Sequence, residues 1–251
     1  MGTVDFGPSA PDYATHRRGF PPSFFARLSA LGLVPAGCRA LDLGTGTGSL
    51  ARGLAALGAR AIGLDCSVAM LRGADGLPVV AAAAERVPLR HAAFDLVTAG
   101  QCWHWFDGPR AARECRRLLR PGGTLVVAHF DYLSRESEAA ALTEELVLRH
   151  NPRWTMAGTD GRHGGWAPQL ESAGFGPAGI FEYVEEVPYS QEAWRGRIRT
   201  CNGVLALRDA ARIAEFDREL AALLRDRFGG ADLSVPHRVF AVAAQRGGNT
   251  P

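Results

Sequence analysis

The sequence contains no lysine; all 28 of its basic residues are arginine. That absence excludes Schiff-base chemistry on a lysine amine and the phosphate-binding lysine of a P-loop. It reads as the codon bias of a GC-rich genome. A dominant charge of one sign is also missing. The formal net charge is +2, and no basic block is long enough to track a nucleic-acid backbone. Arg113, Arg116, Arg117 and Arg120 fall at helical spacing beside Leu118 and Leu119, and read as the solvated face of an amphipathic helix. Cysteine is sparse and unpatterned. Cys38, Cys66, Cys102, Cys115 and Cys201 form no C-x-x-C pair and no metal-ligand spacing, which predicts reduced thiols in a cytosol. His150 and His163 have no acid or cysteine at ligand spacing, so no metal is expected. No apolar run approaches the roughly 20 residues that span a membrane. The first twenty residues lack a basic stretch followed by an apolar one, so they do not read as a signal peptide. A cytoplasmic chain with neither a nucleic-acid nor a membrane partner is the expectation.

What is present is an ordinary globular composition. The 251 residues are 47% apolar, enough for one large domain or one domain with an appended lobe. Residues 1–20 read as a polar arm. "PPSFFARLSALGL" predicts a helix with prolines at its permissive start. Short apolar runs and amphipathic segments then alternate. Strands are predicted at "CRALDLG", "RAIGLD", "LPVVAAA", "AFDLVTAG" and "GGTLVVAHF". Helices are predicted at "SLARGLAAL", "SVAMLRGA" and "GPRAARECRRLL". Such β-α alternation with short connections predicts a doubly wound parallel sheet. After Phe130 come a helical stretch at 134–150, a helix "WAPQLESAGF" and a strand "AGIFEYVEEVPY". Helices at 191–200 and 207–230 and a closing strand "HRVFAVAAQR" follow. The expected whole is a seven-stranded α/β sheet with helical insertions at about 131–162 and 189–235.

The glycine-rich stretch "LDLGTGTGSL" joins the first strand to the next helix. Glycines there accept positive φ and let the backbone approach a ligand, and a helix N-terminus offers unpaired N–H groups. The spacing is Gly44-x-Gly46-x-Gly48, not the G-x-G-x-x-G of dinucleotide sites. Asp42 lies two residues before the first glycine, where a carboxylate repels a diphosphate and can pair with an ammonium group. Asp65 ends the following strand, where a carboxylate can accept both hydroxyls of a ribose; N-capping "SVAML" is the alternative. A ribose without a diphosphate, joined to an amino-acid moiety, describes S-adenosylmethionine.

These residues carry a resemblance. "ALDLGTGTGSLARGLAALGARAIGLDCSVAML" resembles motif I and the next strand of class I S-adenosylmethionine-dependent methyltransferases. "RECRRLLRPGGTLVVAHF" is similar to that family's turn before its fifth strand. "YATHRRGFP" resembles the N-terminal segment of the type-11 small-molecule subgroup, although Arg18 stands where the subgroup usually has proline, so a less rigid arm is expected. The resemblance implies a last strand running antiparallel and an acid, Glu85, near the adenine, with the Arg86 N–H as a further adenine contact. The cofactor set it implies, together with the residues above, is Tyr13, Arg17, Asp42, Gly44, Thr45, Gly46, Gly48, Asp65, Cys66, Met70, Glu85, Arg86, Gly100, Gln101 and Cys102.

"GQCWHWF" follows the fourth strand, at the carboxyl ends where ligands bind. His104 is the candidate general base, imidazole being the side chain that titrates near neutral pH; a structural histidine between two tryptophans is the alternative. His129, Trp154 and Trp166 are the candidate substrate residues, ordinary lobe packing being their alternative. Arg195, Arg197 and Arg199 alternate on a helix and cannot all face one ligand; one could take a substrate carboxylate. The expected activity is methyl transfer to a small-molecule acceptor in bacterial specialised metabolism. Two rivals stay open: a fold relative that binds the cofactor without methylating, and a nicotinamide-dependent oxidoreductase. The oligomeric state is left open by Phe24 and Phe25, which could pack or form an interface.

Overall fold

The computed structural model describes residues 19–247. Tyr13 and Arg17 lie outside the described residues. Within them a seven-stranded sheet has the order β3-β2-β1-β4-β5-β7-β6. Its first half follows the predicted alternation. Helix α1 (Pro22–Ala30) buries Phe24 and Leu28. Strand β1 (Arg39–Leu43) leads through the glycine turn into α2 (Ser49–Ala56), which buries Leu50, Ala51 and Leu54. Then come β2 (Arg60–Asp65), the single turn α3 (Val68–Leu71) and β3 (Val79–Ala81). Strand β4 (Phe94–Gly100) precedes α4 (Gly108–Leu118) and β5 (Leu119–Tyr132).

β1 pairs in parallel with β2 on one side and with β4 on the other. The strand order reverses between those two partners, so the crevice at the carboxyl ends of β1 and β4 is the topological switch point. Parallel strands covered on both faces read as continuous apolar runs, and β1 is buried at every residue but Arg39. Helix α4 buries Ala111, Ala112, Cys115 and Leu118, and leaves Arg113 exposed. Arg117 turns inward to hold the Val87 and Leu89 carbonyls at 2.9 and 3.0 Å. Arg120 is already in β5, where it pairs with Asp95.

Beyond β5 lie α5 (Glu138–His150), α6 (Trp166–Ser172), β6 (Gly179–Tyr189), α7 (Gln191–Arg199), α8 (Asn202–Leu205), α9 (Ala210–Phe228) and β7 (Leu233–Gln245). The Gly122 N–H donates to the Arg246 carbonyl and the Leu133 N–H to that of Pro236. Partner numbers fall as β5 numbers rise, so β7 is antiparallel.

The chain divides into two compact units. One comprises residues 19–130, 163–182 and 239–247 of the described chain, and holds the parallel strands and their helices. Leu41, Leu43, Val97, Ala99, Leu125 and Val127 form the centre of its core. The other comprises 131–162 and 183–238. Its core centres on Trp194, Phe216, Leu220 and Leu224. Arg195 and Arg199 of α7 both bond Asp217 of α9. Arg227 of α9 bonds Glu138 at the start of α5. Among the described residues no helix is long and apolar enough to cross a membrane.

Candidate functional site

Five residues carry the chain from β1 to α2. Gly44, Gly46 and Gly48 have φ of 60°, 57° and 85°, a region costly for any residue with a Cβ. Space is as restrictive as torsion: a Cβ on Gly44 would lie 2.7 Å from the Cβ and Sγ of Cys102, and one on Gly48 2.5 Å from Leu77. A Cβ on Gly46 would come within 3.3 Å of the buried Met70 side chain. Three alternating left-handed residues expose backbone toward the switch point where side chains would otherwise stand.

The turn is braced by the two acids. Asp42 is 1% exposed. Its Oδ2 accepts from the Thr45 hydroxyl and its Oδ1 from the Thr98 hydroxyl, each at 2.7 Å. The sequence casts Asp42 as a direct partner of a ligand ammonium group. The structure instead buries the group and gives each oxygen a hydroxyl partner within the protein, so Asp42 holds the turn from beneath. An acid in a strand covered on both faces is buried whichever way it points, and that is the physical reason. Burial pushes its carboxyl up to about 7, with the Asp65 charge adding to the rise while the two hydroxyls oppose it.

Asp65 is half-buried at the end of β2. Its Oδ2 accepts the Gly46 N–H at 2.9 Å and its Oδ1 the Ser67 N–H at 2.8 Å. Each oxygen keeps a further lone pair for a ligand hydroxyl. Ser67, not Asp65, caps α3, accepting from the Met70 N–H. Cys66 beside it is exposed.

β4 ends at Gly100, where a Cβ would meet Leu50 and Phe20 at 2.7 Å. Gln101 follows with φ of 62°, uncommon for a residue with a side chain. Two bonds to β5 hold it there, from its N–H to the Ala128 carbonyl and from its Nε2 to the Phe130 carbonyl at 2.6 Å. Cys102 is buried and its thiol donates to the Leu43 carbonyl at 3.1 Å. Burial, then the Asp42 and Asp65 charges, push that thiol far up, so it stays neutral.

Glu85 and Arg86 lie between β3 and β4. The Glu85 carboxylate accepts the Asp107 N–H at 2.8 Å, tying this segment to the start of α4. The Arg86 N–H, expected to face an adenine, already donates to the Ala83 carbonyl at 3.1 Å. A tight turn at 83–86 takes that donor first. The same segment lines an open, largely apolar depression with Ala82, Ala83, Arg86, Val87 and Pro88.

Trp103, His104 and Trp105 form one 3-10 turn. The Trp103 indole is buried and donates to Gln169 at 2.7 Å. His104 is exposed, and its Nδ1 lies 3.2 Å from Nε2 of His129. His129, expected at the mouth of the site, is 2% exposed. It packs against His163 and Trp166, which stack on each other at 4.1 Å with an interplanar angle of 3°. Trp166 is therefore a buried wall. In the other unit, Trp154 bonds Asn202 through its indole at 3.0 Å and packs against Gly203. That contact fastens α8. Sequence reasoning missed Thr98 and Phe20, although a hydroxyl in the apolar run "FDLVTAG" was a usable signal for the first.

Residues 41–127 match the family model described as a methyltransferase domain. A demethylmenaquinone methyltransferase from Mycobacterium sp. (strain KMS) is 33% identical over 189 residues, covering 73% of this chain and 80% of that protein. The chain belongs to the class I S-adenosylmethionine-dependent methyltransferases. A malonyl-(acyl-carrier protein) O-methyltransferase from Methylococcus capsulatus is 38% identical over 140 residues, 51% of this methyltransferase and 50% of that protein. This chain spans about half the length of the first curated relatives it matches. Among solved structures, a candidate type II methyltransferase from Anaeromyxobacter dehalogenans aligns with a TM-score of 0.67 and 25% identity, over 91% of this chain and 97% of that one.

The methyltransferase family's cofactor, S-adenosylmethionine, fits the residues present. The glycine cradle is one that Cβ atoms would fill. Asp65 has acceptor capacity for a ribose.

Proposed function

We propose that this methyltransferase transfers the methyl group of S-adenosylmethionine to a small-molecule acceptor, in the specialised metabolism of a GC-rich bacterium. The observation that carries the cofactor half is the bond from the Gly46 N–H to Asp65 Oδ2. It couples the glycine turn to the carboxylate at the end of β2, making one site of two sequence signals.

When bound, S-adenosylmethionine supplies a methyl group on an electrophilic sulfonium. Gly44, Gly46 and Gly48 would bring backbone against its amino-acid part, with Asp42 setting the local charge. Asp65 would accept from the ribose hydroxyls, and the depression at Ala82–Pro88 would take the adenine. Gly100, Gln101 and Cys102 would line the far side. Most of the acceleration would come from positioning.

His104 would receive the proton of an acceptor that carries one. Only one of two facing imidazole nitrogens can hold the shared proton when both rings are neutral. For His104 to accept at Nε2, that proton sits on its Nδ1 and His129 Nε2 accepts it. His129 then fixes the tautomer, so it is a positioning residue.

The relatives' names differ in acceptor, and the matching family model stops at residue 127. The acceptor is accordingly assigned to the unit of 131–162 and 183–238, which we take as a substrate lobe.

The test is calorimetric titration of S-adenosylmethionine, S-adenosylhomocysteine and NAD into wild type, Asp65→Asn and Asp65→Ala. Micromolar binding of both sulfur ligands, weakened by Asp65→Asn and lost in Asp65→Ala, supports the proposal. Binding of NAD instead would replace it with the oxidoreductase. Cofactor binding without S-adenosylhomocysteine formation across an acceptor panel would favour the non-methylating relative.

A further inference from the structure

Arg195, Arg197 and Arg199 alternate along α7. Residues four apart share a helix face and the one between them does not. Arg195 and Arg199 accordingly both reach Asp217, and both also reach Glu192. Arg197 points the other way and is only 5% exposed.

Its surroundings are aromatic. The guanidinium lies over the Tyr132 ring at 4.8 Å and over the Trp194 ring at 5.8 Å. Trp194 in turn meets Tyr189 at 5.3 Å, and Tyr189 stacks on His237 at 5.7 Å. The polar groups of Trp194, Tyr189 and His237 are satisfied internally. Trp194 donates to Thr143 at 3.0 Å, and Thr143 donates to the Ala139 carbonyl at 2.6 Å. A carbonyl only accepts, so His237 Nδ1 donates to Val235 at 2.9 Å and its Nε2 accepts from the Tyr189 hydroxyl at 3.2 Å.

Arg197 is the exception. Among the described residues the one hydrogen bond of its guanidinium is a 3.7 Å contact from Nη1 to the Cys201 sulfur. Among the described residues no carboxylate forms an ion pair with it, although the Asp131 charge acts on it favourably. Among the described residues its Nε and Nη2 make no hydrogen bond. Buried charges are normally paired, and cation–π contact on the guanidinium face offsets only part of the desolvation. Stacking also leaves the in-plane N–H edge for a partner. A planar fork of that kind matches a carboxylate or phosphate.

We propose that Arg197, framed by Tyr132 and Trp194, binds an oxyanion group, so that the methyl acceptor carries a carboxylate or a phosphate. As a statement about the acceptor this rests on the proposed methyl transfer; the oxyanion site itself does not.

The full chain would be titrated at low ionic strength with benzoate, inorganic phosphate and neutral benzamide, in wild type and Arg197→Met, with S-adenosylhomocysteine as a separate arm. We expect saturable binding of benzoate or phosphate and none of benzamide. Arg197→Met should weaken the anion at least tenfold and leave S-adenosylhomocysteine affinity unchanged. Benzoate alone points to a carboxylate and phosphate alone to a phosphoryl group. If the Met variant does not fold, Arg197→Lys keeps the charge without the fork and should bind both anions more weakly than wild type. Absence of anion binding in wild type, or equal binding in the variants, overturns the proposal and leaves Arg197 a structural brace. Failure of S-adenosylhomocysteine to bind would overturn the methyl-transfer reading while leaving the oxyanion result standing.

Discussion

The Thr98 hydroxyl donates to Asp42 Oδ1 at 2.7 Å, joining β4 to β1 across the switch point. With Thr45 on the other oxygen, each carboxylate oxygen accepts one neutral donor and the group is buried. Two hydroxyl bonds do not match the hydration it gives up.

That imbalance has a sign that can be tested. Burial raises the native Asp42 carboxyl from 3.8 to about 7, so the native state holds the proton more tightly than the unfolded chain does. The stability this contributes is fully present below about pH 4 and is lost as pH rises through 7. The displacement is worth about 4 kcal/mol as an upper bound. Asp42→Asn should therefore gain on wild type between about pH 4 and pH 7, with no further gain above. Urea unfolding at about pH 4.5 and pH 8 checks this; an equal difference at both would refute it.

Asp217 behaves oppositely. Burial pushes its carboxyl up, but bonds from Arg195 and Arg199 outweigh that and hold it below the usual range. Its contribution is present above the unfolded value of 3.8 and is lost as pH falls through the native one. The three side chains are 17–22% exposed, so screening is incomplete. Asp217→Asn should cost about 1–3 kcal/mol at neutral pH. The difference from wild type should close in acid, as followed by chemical denaturation.

For an acceptor that loses a proton, His104→Gln should lower kcat by about 100-fold and leave the affinity for S-adenosylhomocysteine unchanged. Unaltered turnover would assign His104 to packing beside Trp105, whose ring lies 4.5 Å away.

The first half of the fold was legible because local signals agree. Gly44, Gly46 and Gly48 were read as left-handed positions and all three are. Boundaries set by pairing were less visible. "RPGG" reads as a turn before the fifth strand, yet Leu119 already pairs with Phe94, and Gly122 makes a bulge within β5. The helix expected over 67–74 stops at Leu71. β7 begins at Leu233, ahead of the predicted 237, since its partner strands β5 and β6 are remote in sequence.

Site residues divide the same way. Asp65 stands where its strand end placed it. Asp42, His129 and Trp166 were read as facing a ligand and are buried, since burial depends on elements remote in sequence. The alternation of Arg195, Arg197 and Arg199 correctly barred a shared face; which of them lacked an acid was visible only after Asp217 came into place.

The bonds from the Thr45 hydroxyl to Asp42 and from the Gly46 N–H to Asp65 are made within the protein itself. The loop proposed to receive the cofactor is thus braced by the protein's own bonds, and little conformational entropy should be left to lose on binding. Association should resemble docking into a rigid socket, with affinity differences between ligands appearing in how fast they leave.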